Sequence, residues 1–129
     1  MGNNKLFYQE LLEKGDHDIS TAQLLYREKG YTDAICFHAQ QAAEKHLKAF
    51  LAYHGEEVRK IHNLEQLIKD CLKFDKNMEG FLDDGLFLTK YYIETRYPSP
   101  VPTDYPTKEA KEAIDKALKI LDYIKSKIK

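Results

Sequence analysis

The chain has 129 residues, 20 Lys and Arg against 21 Asp and Glu, a formal net charge of -1 and 43% apolar residues. That length suits one domain, residues 1–129, of the usual roughly 100–150 residues, and leaves no room for a second. The charge balance excludes the global basicity that holds a protein to nucleic acid by charge alone, so a nucleotide or RNA site must be a local cluster, and the apolar share argues against wholesale disorder.

A first helix is expected from about Lys5 to Lys29, because Tyr8, Leu12, Gly15, Ile19, Ala22 and Tyr26 alternate steps of four and three and so share one helical face. Arg27 and Lys29 suit the negative end of its dipole, and Gly30 can take the left-handed conformation that stops it. Thr32 or Asp33 can cap a second helix that runs to His54 and stops at Gly55, with Cys36, Ala39, Ala43, Leu47 and Phe50 toward the core. Asn63 with Gln66 three residues later has the form of a capping box. It opens a short third helix carrying Leu64, Leu67, Ile68, Cys71 and Leu72 and ending near Phe74.

A fourth helix is expected from about Met78 to Tyr97, with Leu82, Leu86 and Ile93 on one face and Phe81, Leu88 and Tyr92 on another, which predicts cover on both sides. Arg96 follows Ile93 by three residues and shares its face. All four prolines, Pro98, Pro100, Pro102 and Pro106, crowd the segment that follows. Thr107 can then cap a last helix, in which Ala110, Ile114, Ala117, Leu121, Ile124 and Ile128 repeat at four-three spacing. No segment alternates with period two. The fold class is therefore all-α, an up-and-down antiparallel bundle of five helices, four long and one short. Leu24, Leu25, Ile120 and Tyr123 fall off the main stripes and are candidates for a contact surface.

No stretch approaches the roughly 18–20 apolar residues of a membrane span, and Met1 to Lys5 lead into no signal-like apolar block, so a cytoplasmic protein without a membrane partner is expected. Cys36 and Cys71 form no CxxC and are too few for a disulfide framework, which predicts reduced thiols. Of the five histidines, His38, His46, His54 and His62 are spaced by eight. Eight residues turn a helical side chain by about 80°, so these rings spiral around the cylinder and do not meet at one ion. With no HExxH, no carboxylate-rich helix pair and no GxxxxGK loop, neither a metal nor a cofactor is expected. Asp83 and Asp84 are adjacent, point to different faces and read as solvated charges.

Gln41, Glu44, Lys45 and Lys48 share one side of the second helix. The simplest account is a solvated face in which Glu44 and Lys48 form an i,i+4 pair worth about 0.3–0.5 kcal/mol. Tyr92, Arg96 and Tyr97 form a second group just before Pro98. An arginine that continues an apolar stripe must pair, snorkel or meet an anion, since burying it alone costs several kcal/mol. A structural salt bridge or bonds to the last helix carbonyls would satisfy it equally, and His62, just before the Asn63 cap, can simply cover a helix end. Should the groups converge, lysines and a guanidinium would hold phosphate while Tyr92 or Tyr97 offered a stacking face to a base. Convergence requires the second and fourth helices to be neighbours with these faces turned toward each other.

The run FHAQQAAEKHLKAF, from Phe37 to Phe50, resembles the second helix of HEPN domains, small helical proteins of bacteria and archaea. The likeness extends across nearly the whole chain, through Gly30-Tyr31, His62-Asn63-Leu64, Arg96-Tyr97-Pro98 and Tyr105-Pro106-Thr107. The resemblance implies an up-and-down bundle that commonly forms a homodimer and acts beside a minimal nucleotidyltransferase, in toxin–antitoxin pairs or nucleotide-binding complexes. It also implies that some relatives are metal-independent ribonucleases, carrying an Arg and a His with four to six residues between them. This chain departs from that motif: only Lys60 and Ile61 separate Arg59 from His62, and no histidine follows Arg96. The matching positions are Gln41, Lys45, Lys48, His62, Arg96 and Tyr97, with Tyr92 beside them, in a role of ligand binding or structural support.

Three functions follow. The first is a HEPN-type module that binds a nucleotide or RNA and works with a nucleotidyltransferase partner. The second is a metal-independent endoribonuclease in which His62 is general base or acid and Arg96 stabilises phosphate charge. The third is a helical scaffold that dimerises and recruits a partner without a small ligand.

Overall fold

The computed structural model describes residues 6–97 and 103–128, and every regular element among them is helical. Met1 to Lys5, including the expected start of the first helix, and Pro98, Pro100 and Pro102 lie outside the described residues. Helix α1 spans Phe7–Arg27 and buries Gly15, Ile19 and Ala22, the middle of the predicted stripe. Its termination differs from expectation. Lys29, not Gly30, takes the left-handed conformation, with φ 59°. Gly30 is needed for a close approach instead: its amide donates to the Leu25 carbonyl at 2.7 Å, and a Cβ on it would lie 2.9 Å from Leu25 Cδ2.

Helix α2 spans Thr32–Tyr53, with Tyr31 rather than Thr32 or Asp33 at the N-cap. The Asp33 carboxylate instead accepts the neighbouring Ala34 amide at 2.8 Å. Gly55, at φ 78°, closes the helix as the spacing predicts. Cys36, Ala39, Ala43, Leu47 and Phe50 are all buried, and so are Ile35, Ala42, Ala49 and Leu51 on the other faces. The cause is position, since α1 and the helices that follow all pack around α2. Small side chains permit that crowding. A Cβ on Gly15 of α1 would sit 2.5 Å from Nδ1 of the buried His46, so this crossing admits only glycine without displacement.

Helix α3 spans Leu64–Cys71, and its Asn63 cap accepts the Gln66 amide at 3.1 Å. The segment expected as one fourth helix is divided into a 3₁₀ helix at Lys76–Phe81, α4 at Leu82–Thr89 and the short α5 at Tyr91–Glu94. Asp75 accepts the Asn77 amide at 2.9 Å and opens the tight first turn. Lys90, between α4 and α5, keeps helical angles of φ -63° and ψ -26°, so the second break is a lapse in hydrogen bonding. Leu88 is buried, but Leu86 and Ile93 are 57% and 58% exposed, so the Leu82, Leu86 and Ile93 face lacks the expected cover.

Helix α6 spans Thr107–Lys127, follows Pro106 as its N-cap, and buries Ala110, Ile114, Ala117, Leu121 and Ile124 against α2. Ile120 is fully buried too and is no surplus surface residue, whereas Leu24 is exposed. Asp84 corrects another expectation. It is 6% exposed and holds Lys116 at 3.1 Å and Lys119 at 3.2 Å, an ion pair that ties α4 to α6. Among the described residues no helix is long and apolar enough to cross a membrane.

Candidate functional site

Glu44 is the hub of the polar groups on α2. Its carboxylate is only 5% exposed, and it accepts hydrogen bonds from Gln40 Nε2 at 3.0 Å, Lys48 Nζ at 2.9 Å and His62 Nδ1 at 2.9 Å. Gln41 adds a longer bond at 3.4 Å and donates to Gln40 Oε1 at 2.8 Å. A buried carboxylate needs such a set, because desolvation costs several kcal/mol unless the lone pairs are occupied. The solvated-face account therefore fails for Glu44, although the Glu44–Lys48 pair forms as the spacing predicts.

His62 is positioned from three directions. Its carbonyl accepts from Gln40 Nε2 at 3.3 Å and from the Thr89 hydroxyl at 3.2 Å, and the same hydroxyl accepts the Leu64 amide at 3.0 Å. Its ring stacks on Tyr92 with centroids 3.7 Å apart and planes 12° from parallel. Since a carboxylate can only accept, the Nδ1–H points at Glu44 and Nε2 is the nitrogen left for a ligand or a proton.

Arg96 lies over two rings, 4.9 Å from the centroid of Tyr92 and 5.8 Å from that of Phe37. Among the described residues no carboxylate is within ion-pair distance of its guanidinium. Stacking holds a guanidinium by its face, and the N–H donors lie at its edge, outside the stack. The Gln41 and Lys48 flank of α2 is thus joined to Arg96 through Glu44, His62 and Tyr92. Even so, Arg96 and His62 line different cavities. Arg96 borders one of about 200 Å³ with Phe37, His38, Thr95 and Asp33, while His62 borders one of about 360 Å³ with Thr89, Lys90 and Ile93. Tyr92 meets both side chains, so of the two tyrosines the one more open to an incoming base is Tyr97, 56% exposed.

Lys45 is not drawn into this group. Its Nζ binds Asp18 of α1 at 2.6 Å, beside His38 Nδ1 at 2.9 Å on the other carboxylate oxygen. Burial opposes ionisation of Asp18, but the bonds from His38 and Lys45 outweigh it and hold the carboxyl below its usual range. The other histidines also have separate settings, His46 buried against α1 and His54 stacked on Phe74 at 4.5 Å. Among the described residues no group of three metal-ligating side chains converges. Burial pushes the thiols of Cys36 and Cys71 up to about 12, which keeps both from acting as nucleophiles at neutral pH. The sequence missed Phe37 and Thr89 as site residues, and only the packing of α2 against α5 and the α3 entrance reveals them.

The family model of the HEPN domain matches residues 8–127. Two solved structures are similar in fold. TT1696 from Thermus thermophilus is 34% identical with a TM-score of 0.85, covering 95% of this chain and 99% of its own. ST0689, an archaeal HEPN homologue, is 27% identical with a TM-score of 0.77, covering 95% of this chain and 98% of its own. No curated protein matches the chain.

Proposed function

This chain belongs to the HEPN domain family, and from that premise we propose that it is a module that binds a nucleotide or RNA and works with a minimal nucleotidyltransferase partner, as one component of a toxin–antitoxin pair. The observation that carries the reading is Arg96: a guanidinium held on the rings of Phe37 and Tyr92, with no carboxylate within ion-pair distance among the described residues, can receive an anion. Tyr97 beside it supplies an exposed aromatic face for a base. A homodimer accompanies this reading, and the cytoplasm is the compartment that suits two reduced thiols.

Fluorescence polarisation with labelled single-stranded RNA and with a labelled nucleotide tests the proposal. Arg96→Ala should weaken binding by about 1–3 kcal/mol if the guanidinium makes charge-assisted bonds to phosphate. Equal affinity of the variant and the parent, with an unchanged circular dichroism spectrum, would remove Arg96 from the site.

A second reading, a metal-independent ribonuclease, is favoured by one specific feature. Glu44 fixes the Nδ1–H of His62, which leaves Nε2 to take a proton from a ribose 2′-hydroxyl, the arrangement of an oriented general base. Because His62 and Arg96 border separate cavities, the strand would have to cross Tyr92 to meet both. Purified protein in chelator should then cut structured RNA, and His62→Ala should abolish cleavage. Intact RNA after prolonged incubation leaves only the binding role.

A further inference from the structure

Two carboxylates are placed to neutralise Arg96, and each is engaged elsewhere. Asp33 lines the same cavity and accepts the Ala34 amide at 2.8 Å in the first turn of α2. Glu94 stands two residues before Arg96 and accepts the Tyr105 hydroxyl at 2.9 Å. Consecutive Cα atoms are about 3.8 Å apart, so the long side chains of Glu94 and Arg96 can reach one another. Within a helix, a spacing of two turns side chains away from each other, but α5 ends at Glu94 and Arg96 lies past it. The bond to Tyr105 is what draws this carboxylate off.

The hydroxyl that does this is firmly placed. The Tyr105 side chain is buried, its ring packs edge-on against the buried Tyr91 with centroids 5.1 Å apart, and Pro106, the N-cap of α6, follows it in the chain. Burial and then the Glu94 carboxylate raise the Tyr105 hydroxyl above its ordinary pKa, so it stays a donor at neutral pH. The same device recurs one residue before Tyr92. The Tyr91 hydroxyl donates to Glu109 in the first turn of α6, and Lys90 Nζ lies 3.7 Å from that carboxylate, so a second acid beside α5 is also occupied. We propose that Tyr105 is a positioning residue of the Arg96 site: by holding the Glu94 carboxylate, it keeps the guanidinium open to an anion. Without that hydroxyl, Glu94 pairs with Arg96 and competes with phosphate for the same N–H donors. The inference rests on the reading of Arg96 as an anion site and adds to it a residue from the entrance to α6.

Two measurements on the full chain test it: polarisation of labelled single-stranded RNA, and the NMR resonance of the Arg96 Nε–H, assigned by its loss in Arg96→Ala. In the parent that proton should be shielded by the rings of Tyr92 and Phe37. Tyr105→Phe keeps the ring against Tyr91, so circular dichroism should be unchanged. It should move the Nε–H proton downfield, toward a carboxylate, and weaken RNA binding about two- to tenfold. Adding Glu94→Gln to Tyr105→Phe should return both readings to those of the parent, because the competing charge is gone. A hydroxyl that only braced the fold would leave the double variant as weak as the single one, and that result overturns the proposal. RNA affinity and a resonance both unchanged in Tyr105→Phe overturn it equally. Should Arg96→Ala bind RNA as the parent does, the anion reading of Arg96 falls, and the resonance alone decides whether Tyr105 holds Glu94 away: a downfield move reversed by Glu94→Gln upholds that, and an unmoved proton refutes it.

Discussion

His46 is completely buried where α1, α2 and α6 meet, and its two ring nitrogens meet opposite circumstances. Nδ1 lies 2.8 Å from the Ala42 carbonyl, which can only accept, so Nδ1 carries the proton. Nε2 of the neutral ring then has only a lone pair, 3.4 Å from Asp16 Oδ1, and is buried without a hydrogen bond. Burial lowers the His46 pKa below its ordinary 6.5, and Lys125, paired with Asp16 at 2.6 Å, acts in the same direction. The Ala42 carbonyl and the Asp16 charge oppose this without overcoming it. The folded ring therefore resists a proton that the unfolded chain accepts, and stability must fall as the pH is lowered through that window. The contribution is complete above pH 6.5, shrinks as pH drops toward the depressed folded value, and changes no further below it. An NMR titration of the His46 ring should show it still neutral where an ordinary histidine is half protonated. Protonation of that ring at or above its ordinary value would contradict the argument.

At the scale of the helix, the periodicity of α2 identified Cys36, Ala39, Ala43, Leu47 and Phe50 as core, and all five are buried. The same pattern did not mark Gln40, Glu44 and His46 as core, and Glu44 was expected on a solvated face; they are buried because several helices pack around α2. A hydrophobic stripe reports the face that needs cover and not the number of neighbours an element acquires. The fourth segment failed for a related reason. Its apolar residues have helical spacing, yet spacing alone does not reveal the 3₁₀ entrance set by Asp75 or that Leu86 and Ile93 stay exposed. Within the site, the Glu44–Lys48 pair was legible because both partners lie one turn apart on a single helix. The partnership of Glu44 with His62 spans 18 positions and depends on how the loop before α3 returns. Lys45, adjacent to Glu44, shows the converse: a rotation of about 100° per residue sends it to Asp18 on α1.

The whole molecule leaves one aliphatic face uncovered beside its site. Leu86 on α4 and Ile93 on α5 are seven residues apart, about two helical turns, and both stay more than half exposed while the other large aliphatics of the fourth segment are covered wholly or in part. Burying a side chain of this size stabilises by about 1.5–3 kcal/mol, so two copies that met on this face would each gain from both residues. Ile93 also borders the cavity that contains His62. A homodimer formed here would place the second copy at the edge of that cavity, so association and ligand binding would be linked. Analytical ultracentrifugation should therefore give a dimer mass, and the double variant Leu86→Glu with Ile93→Glu should sediment as a folded monomer, because opposing carboxylates would have to be buried without partners. The same variant should bind RNA more weakly than the parent, while Tyr31→Ala, at a ring 83% exposed between α1 and α2, should change neither mass nor affinity. A parent chain that stays monomeric at high concentration would refute pairing through this face and confine the ligand to the groups of a single copy.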